Sequence, residues 1–466
     1  MPEKTRSLAI CIPSGKRQAL ESEGTRSIAQ RSTNVKRRGW LLGPLRYGRI
    51  ASTAGVRPGG CTMHLFHVQL TNFRLYRHLE VALDMGTTLL WGANASGKSS
   101  FLEAIFMLAT THSPRAGADR EVIHWDATET FGIPPFARVV GRLQRADGPL
   151  TLEMVVQRQA AGSEEPSGRC QKRFLVNRQP VRARDAAGRL QVVLFEPEDL
   201  NLVTGSPARR RRYLDVTLMQ ADARYWQSLQ RYHQVVLQRN RLLRRWREEG
   251  APPGSREEVA FWNREMVEHG SYLIAARARF IAALGPLVER LHRQLSGTAE
   301  QLTVAYRPQV PCPPGADEAG IAFAYRQALA STWPREVQLG QSLLGPHRDD
   351  LSFSLDGVDL ATYGSRGQQR TSTIALKLAQ VEWLRRESGE APIVLLDDVL
   401  SELDPARRSS LQGWLLEGGC QVILTATDLA AFLPITLEQS TVYRVDAGRW
   451  TPLERKSKAD DLGKPG

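Results

Sequence analysis

Cysteine is scarce and unpatterned in this chain of 466 residues: Cys11, Cys61, Cys170, Cys312 and Cys420 are odd in number and show no C-x-x-C spacing. That argues against a zinc site and offers no disulfide framework, so a reducing cytoplasm is expected. Long apolar runs are missing as well. The longest, around Val394 to Leu396, ends in two aspartates, far short of the roughly 20 residues that cross a bilayer. A soluble protein is expected. There is also little surplus positive charge outside one segment. The formal net charge is +13, yet residues 1–62 hold 12 Lys/Arg against 3 Asp/Glu, which is +9 and leaves +4 for everything after them. The overall basicity is therefore weak evidence for a nucleic-acid partner. No nuclease, helicase or polymerase constellation is visible.

Residues 1–62 carry no sustained apolar period and no signal-peptide core. Three readings stand for them: an upstream start that is not the physiological one, a disordered basic arm, or an Arg-rich, acid-poor targeting segment. Initiation at Met63 is favoured, because MHLFHVQLTNFRLYRHLEVAL alternates apolar and polar residues like the first strands of a sheet. Residues 63–205 read as strand, turn, strand, loop and helix, followed by short strands. Between 206 and 330 the period changes. Tyr225, Leu229, Tyr232, Val236, Leu243 and Trp246 step at helical intervals, as do Val259, Trp262, Met266, Leu273, Phe280, Leu284 and Leu287, with EGAPPGS between the two sets. An antiparallel helical hairpin about 40 Å long is expected, with two helices on an ordinary core as the alternative. Residues 331–452 return to a β/α pattern, and 453–466 form a tail.

What is present carries chemistry. Gly92-Ala93-Asn94-Ala95-Ser96-Gly97-Lys98-Ser99, followed by Ser100, matches G-x-x-x-x-G-K-[ST] between a β-prone run and a helical one. Backbone N–H groups of such a loop cradle phosphates, Lys98 reaches the β/γ oxygens, and the Ser99 hydroxyl binds Mg²⁺. The acidic strand that completes the site arrives only at PIVLLDD. Asp397 is the second metal-binding candidate, and Asp398 is placed to orient or deprotonate the attacking water. YGSRGQQR, residues 363–370, sets Ser365, Gly367 and Gln368 at the start of a strongly amphipathic helix, where anions bind. One chain has a single Walker lysine for two such sites, so a nucleotide sandwiched between two subunits is expected, with Lys98, Asp398 and Ser365 as its catalytic groups. A serine N-cap followed by polar helix surface is the alternative.

Two stretches stay open. Arg209 to Arg212 suit phosphate contacts or a solvated helix start equally. His347, Arg348, Asp349 and Asp350 in GPHRDD have the look of a metal site, but the Mg²⁺ expected here is already assigned elsewhere.

The order GANASGKSS, FEPEDLNLVTGSPARRRRYLD, YHQVVLQRN, LLGPHRDDL, YGSRGQQR, LLDDVLSELD and TATD resembles the RecF family of bacterial DNA replication and repair proteins, relatives of SMC and ABC-type ATPase heads, over about residues 63–450. The resemblance implies an α/β fold: an ABC-type ATPase head, a mixed β-sheet flanked by helices around the P-loop, with an inserted helical lobe. It implies Gly92 to Ser99 as Walker A, Ser365 to Arg370 as the signature, Asp397 and Asp398 as Walker B, and Ser401 to Asp404 as the D-loop. Thr425 to Asp428 lack the switch histidine of many ABC enzymes, which suits slow hydrolysis. ATP and Mg²⁺ are the implied cofactors. Single-stranded and gapped double-stranded DNA, a second copy in an ATP-dependent homodimer, and RecR and RecO are the implied partners. The implied activity is a weak, DNA-stimulated ATPase that acts as a switch in DNA damage repair and assists recombinase loading. Three other readings are kept. An SMC-like tether needs far longer helical arms, a small-molecule P-loop kinase or GTPase leaves YGSRGQQR without a role, and a non-enzymatic basic DNA binder leaves the Walker residues unexplained.

Overall fold

The computed structural model describes residues 63–129, 132–159, 170–252 and 254–453. Residues 1–62 and 454–466, with the expectations made for them, lie outside the described residues. Alternating residues build the first layer. β1 (His64–Phe73) and β2 (Tyr76–Ala82) pair antiparallel. β3 (Thr87–Trp91) then leaves for a second sheet and is followed by α1 (Lys98–Thr110). β4 (Phe136–Arg145), β5 (Gly148–Arg158), β6 (Cys170–Val176) and β7 (Gln179–Val181) complete an antiparallel sheet in the order β2-β1-β4-β5-β6-β7. Leu65, Val68, Leu70, Val139, Met154 and Val156 bury its inner face. Next come α2 (Ala183–Ala186) and β8 (Val192–Phe195), which joins the second sheet.

Helices then take over with α3 (Pro207–Ala221), α4 (Ala223–Glu249) and α5 (Ser255–Ser296). Contacts between α4 and its neighbour run in opposite directions along the two: Asp222 meets Tyr272, Arg231 meets Glu265, Arg239 meets Asn263 and Arg245 meets Glu258. The pair is an antiparallel hairpin. The 27 residues of α4 span about 40 Å and the 42 of α5 about 63 Å. The excess arises because buried apolar positions continue through Val288, Leu291 and Leu295 before Gly297, at φ 68, caps the helix. α5 is long and apolar enough to cross a membrane, yet 67% of its most apolar window is buried in the protein, as in a core helix.

β9 (Leu302–Arg307) and α6 (Glu318–Leu339) follow. The break expected between residues 330 and 331 falls inside α6. Tyr325 and Leu329 of that helix bury beside α4 and α5, and further along it Glu336 meets Arg239 in an ion pair with no exposed surface on either side. A charge pair taken fully out of water is tolerated only with its remaining hydrogen bonds satisfied. Here Asn263, Ser342 and the Leu343 N–H supply them.

The rest of the chain is β10 (Asp350–Leu355), β11 (Val358–Asp359), α7 (Leu360–Tyr363), α8 (Arg366–Ser388), β12 (Ile393–Asp397), α9 (Pro405–Glu417), β13 (Val422–Ala426), α10 (Pro434–Glu438), β14 (Ser440–Asp446) and β15 (Arg449–Pro452). β9, β10 and β11 form a small antiparallel sheet. The second large sheet has the order β15-β14-β3-β13-β12-β8, parallel throughout except for its antiparallel edge strand β15. β8, β12 and β13 read as nearly unbroken apolar runs because both their faces are covered, whereas β14 and β15 at the edge are mixed. Along β12, Ile393 and Leu395 join the core around α1, whereas Val394 and Leu396 join the core built with α3, α5 and α8. Lying between the two large sheets, α1 is buried almost all round.

Candidate nucleotide-binding site

β3 and β12 are separated by one strand, so the glycine loop after one and the aspartates after the other emerge at the same edge of the parallel sheet. The loop needs its small residues. A Cβ on Gly92 would lie 2.2 Å from the Val445 carbonyl oxygen, and one on Gly97, at φ 111, would lie 3.0 Å from the Tyr76 hydroxyl. Ala95 is held at φ 60. The loop is braced from outside by Gly448 N–H donating to Ser96 O (2.9 Å) and by the Tyr76 hydroxyl donating to Gly97 O (2.9 Å).

Lys98 is buried and donates to the Gly92 and Ala93 carbonyl oxygens at 2.7 and 2.8 Å. Burial lowers its pKa, and the charges of Asp398 and Asp397 work against that shift. Asp397 Oδ1 accepts from the Ser99 hydroxyl at 2.8 Å and from the Thr425 hydroxyl at 2.6 Å. Thr425 Oγ1 in turn accepts the Asp398 N–H at 3.0 Å. Asp398 sits in the left-handed region at φ 52. Burial raises its pKa, against a Ser401 hydrogen bond and the Lys98 charge. Residues Asn94 to Ser100, Asp397, Asp398, Thr425 and Thr427 line one cavity of about 700 Å³, with Arg74, Arg120, Trp125 and Arg158 on its walls.

Several participants escaped the sequence reading. Arg115, on the loop after α1, pairs with Asp397 Oδ2 and, at 3.0 Å, with Glu196. Arg74 grips Glu103 of α1 through two hydrogen bonds of 2.9 and 2.8 Å. Glu196 and Thr425 lay inside the motifs FEPEDL and TATD, which gave a signal. Arg115 and Arg74 are single arginines among many and gave none.

The signature lies apart. Ser365 Oγ accepts the Gln368 N–H at 3.2 Å while Gln368 Oε1 accepts the Ser365 N–H at 2.9 Å, a reciprocal cap at the start of α8. Gly367 faces Arg407, whose guanidinium a Cβ there would meet at 3.1 Å. Residues 363–370 contribute nothing to the wall of the cavity that holds Lys98 and Asp398. The segment between them touches both: the Ser401 hydroxyl donates to Asp398 O at 2.7 Å, and Arg370 pairs with Glu402 at 3.2 Å.

The open stretches resolve into struts. Arg210 is buried and pairs with Asp350 at 2.6 Å while also donating to backbone carbonyls; Arg209, Arg211 and Arg212 donate to the carbonyls of Glu198, Asp349 and Ser113. All four arginines thus donate to this chain's own carbonyls, Arg210 from the interior. In GPHRDD, His347 Nδ1 meets the Tyr232 hydroxyl at 2.8 Å, Asp349 accepts from the Tyr306 hydroxyl and the Gln309 N–H, and Arg277 of α5 lies 3.5 Å from Asp349. The two aspartates go to different partners, and no cluster of three potential metal-binding His, Cys, Asp or Glu side chains exists among the described residues. The stretch pins the helical hairpin to α3 and β10.

Residues 64–447 match the family described as RecF/RecN/SMC N terminal domain. The chain is 46% identical over 388 residues, 83% of its own length and 99% of the relative's, to the DNA replication and repair protein RecF of Chloroflexus aurantiacus. It is 46% identical over 397 residues, 84% of this chain and 100% of the relative, to the protein of the same name from Roseiflexus castenholzii. Among solved structures it is similar to one described as the recombination mediator protein RecF-ATPrS in the RecFOR pathway, with TM-score 0.74 and 26% identity over 85% of this chain and 99% of that one. The RecF-ATP form matches with TM-score 0.71 and 26% identity over 84% and 100% of the two chains.

Proposed function

Because the chain belongs to the RecF family, with the α/β ABC-type head of that family and a helical lobe inserted in it, we propose that it is a cytoplasmic, ATP-dependent DNA-binding protein of replication and recombinational repair. ATP closes two copies on single-stranded or gapped double-stranded DNA, slow hydrolysis opens them, and the closed state assists recombinase loading together with RecR and RecO. In this reading the head comprises residues 63–205 and the segment after α6, with β9 and β10 as its seam to the lobe.

Backbone N–H groups of Gly92 to Ser99 and the start of α1 receive the phosphates, and Lys98 exchanges its two carbonyl partners for β/γ oxygens. Mg²⁺ fits the donors at the loop's end: the Ser99 hydroxyl and the Asp397 carboxylate are hard oxygens 2.8 Å apart, with Thr425 and Arg115 holding the carboxylate in place. The ion supplies neutralisation of phosphate charge. Asp398, beside Asp397 on the same cavity wall, orients the attacking water and accepts its proton.

One observation carries the dimeric reading. The cavity wall contains the loop and both aspartates but nothing from residues 363–370, so a nucleotide held by one chain meets Ser365 only on a second copy. Lys98→Ala and Ser365→Arg should each abolish turnover alone. Mixed, they should recover up to about a quarter of wild-type activity, because random pairing makes half the dimers mixed and each mixed dimer keeps one intact site of two. Absence of recovery in a mixture shown by differently tagged copies to form closed heterodimers would count against a shared site.

A further inference from the structure

α5 begins at the tip of the hairpin and ends beside the signature. Past Gly297, the link 298–301 is fastened to the small sheet: Gln301 N–H donates to Asp356 Oδ1 at 2.8 Å, and Asp356 N–H donates to Gln301 O at 3.0 Å. Glu300, the residue before, is half-buried. Its Oε2 accepts from the Thr298 hydroxyl at 2.9 Å, and its Oε1 accepts from Gln368 Nε2 at 2.7 Å.

A carboxylate can only accept. The Gln368 amide must therefore turn its NH₂ toward Glu300, which leaves its carbonyl oxygen facing the Ser365 N–H, where it closes the cap at 2.9 Å. If the amide flipped, two donors would face each other and the cap would open. The other residues of the motif are fastened elsewhere. Gln369 donates to the Leu360 and Gly364 carbonyls, and Arg370 binds Glu402. Beyond the Ser365 N–H, the Gln368 amide has the Glu300 carboxylate to set which way it points.

We propose that Glu300 is the positioning residue of the signature: by fixing which way the Gln368 amide points, it holds the N-terminal cap of α8 in the shape that presents Ser365 to the nucleotide of a second copy. This inference rests on the shared-site reading above. Nothing in it requires Glu300 to touch the nucleotide.

Three substitutions separate acceptor from charge. Glu300→Ala removes the acceptor, Glu300→Lys replaces it with a donor, and Glu300→Gln keeps an acceptor without the charge. ATP binding to the isolated chain, which uses the Lys98 loop, should be unchanged in all three. ATP-driven self-association, followed by sedimentation, should weaken about tenfold for Ala and more for Lys, about the effect of losing one helix cap. Gln should recover most of it. Backbone hydrogen exchange over residues 365–369 should speed up in Ala and Lys and stay slow in Gln, with exchange elsewhere in the protein unchanged, which separates a local effect from a general loss of stability. Wild-type association in both Ala and Lys, or a loss in Gln equal to that in Ala, would overturn the proposal. Ser365→Arg in the same assay keeps the two readings apart. If it leaves association intact, the shared site fails and the inference falls with it; if it abolishes association while the Glu300 variants behave as wild type, only the inference falls.

Discussion

Asp398 occupies a left-handed conformation that costs a residue with a Cβ about 1–2 kcal/mol, and two hydrogen bonds hold it there, its N–H to Thr425 and the Ser401 hydroxyl to its carbonyl. Strain of this kind collects at functional positions. Asparagine tolerates the same backbone region, so Asp398→Asn should keep the turn and remove only the charge that accepts a proton. Nucleotide binding should stay near wild type while turnover falls by about 10²-fold or more. A fluorescent ATP analogue and a phosphate-release assay measure the two separately, and undiminished release would move the water-orienting role to another group. The sequence already suggests separate roles for the two acids, metal for Asp397 and water for Asp398. The positive φ at Asp398, whose N–H is held by Thr425 arriving from β13, is what no local pattern announces.

Two helical glycines should behave differently. A Cβ on Gly413 of α9 meets nothing within 4 Å, whereas on Gly270 of α5 it would lie 2.8 Å from the Tyr325 ring and 3.1 Å from the Tyr232 ring. In an open helical site, glycine to alanine gains about 1 kcal/mol. Gly413→Ala should therefore raise the thermal midpoint by about 1 °C, since a chain of this size has a large unfolding entropy. Gly270→Ala should lower it, since overpacking costs about 1–3 kcal/mol and outweighs the propensity gain. Equal shifts in both variants would mean that the crossing of α4, α5 and α6 is looser than described. The helical stepping of Tyr225 to Trp246 and Val259 to Leu287 made both helices of the hairpin legible. The end of α6 was not, because its anchor is the Arg239–Glu336 pair, two charges that read in sequence as solvent-facing. The GPHRDD stretch was likewise opaque: its partners Tyr232, Tyr306 and Arg277 lie 43 to 115 residues away.

That same hub ties the stability of the whole molecule to acidity. Burial pushes His347 down to about 4, whereas an unfolded histidine titrates near 6.5. Between those values the unfolded chain binds a proton that the folded one refuses. The stabilisation is thus complete above about pH 6.5 and is lost as the pH falls toward 4, to the extent of about 2–3 kcal/mol. Urea midpoints at pH 7.5 and pH 5 should drop further in the wild type than in His347→Gln; parallel drops would assign the acid sensitivity to other groups. The parallel sheet has a consequence for how the chain is made. β3 pairs with β13 and β14, and β8 pairs with β12, so strands from residues 87–195 wait for partners between 393 and 446. At about 5–20 residues per second of synthesis, tens of seconds separate them. The strand pairing of the antiparallel sheet that ends with β7 needs no residue beyond 181 and can form while the ribosome is still working, although its core is completed by later residues such as Leu395 and Ile423. Any nascent chain released before β14 lacks a neighbour of the strand that feeds the phosphate loop. A chain ending before β14 should therefore hold the phosphate loop less firmly and capture nucleotide less well than the full chain.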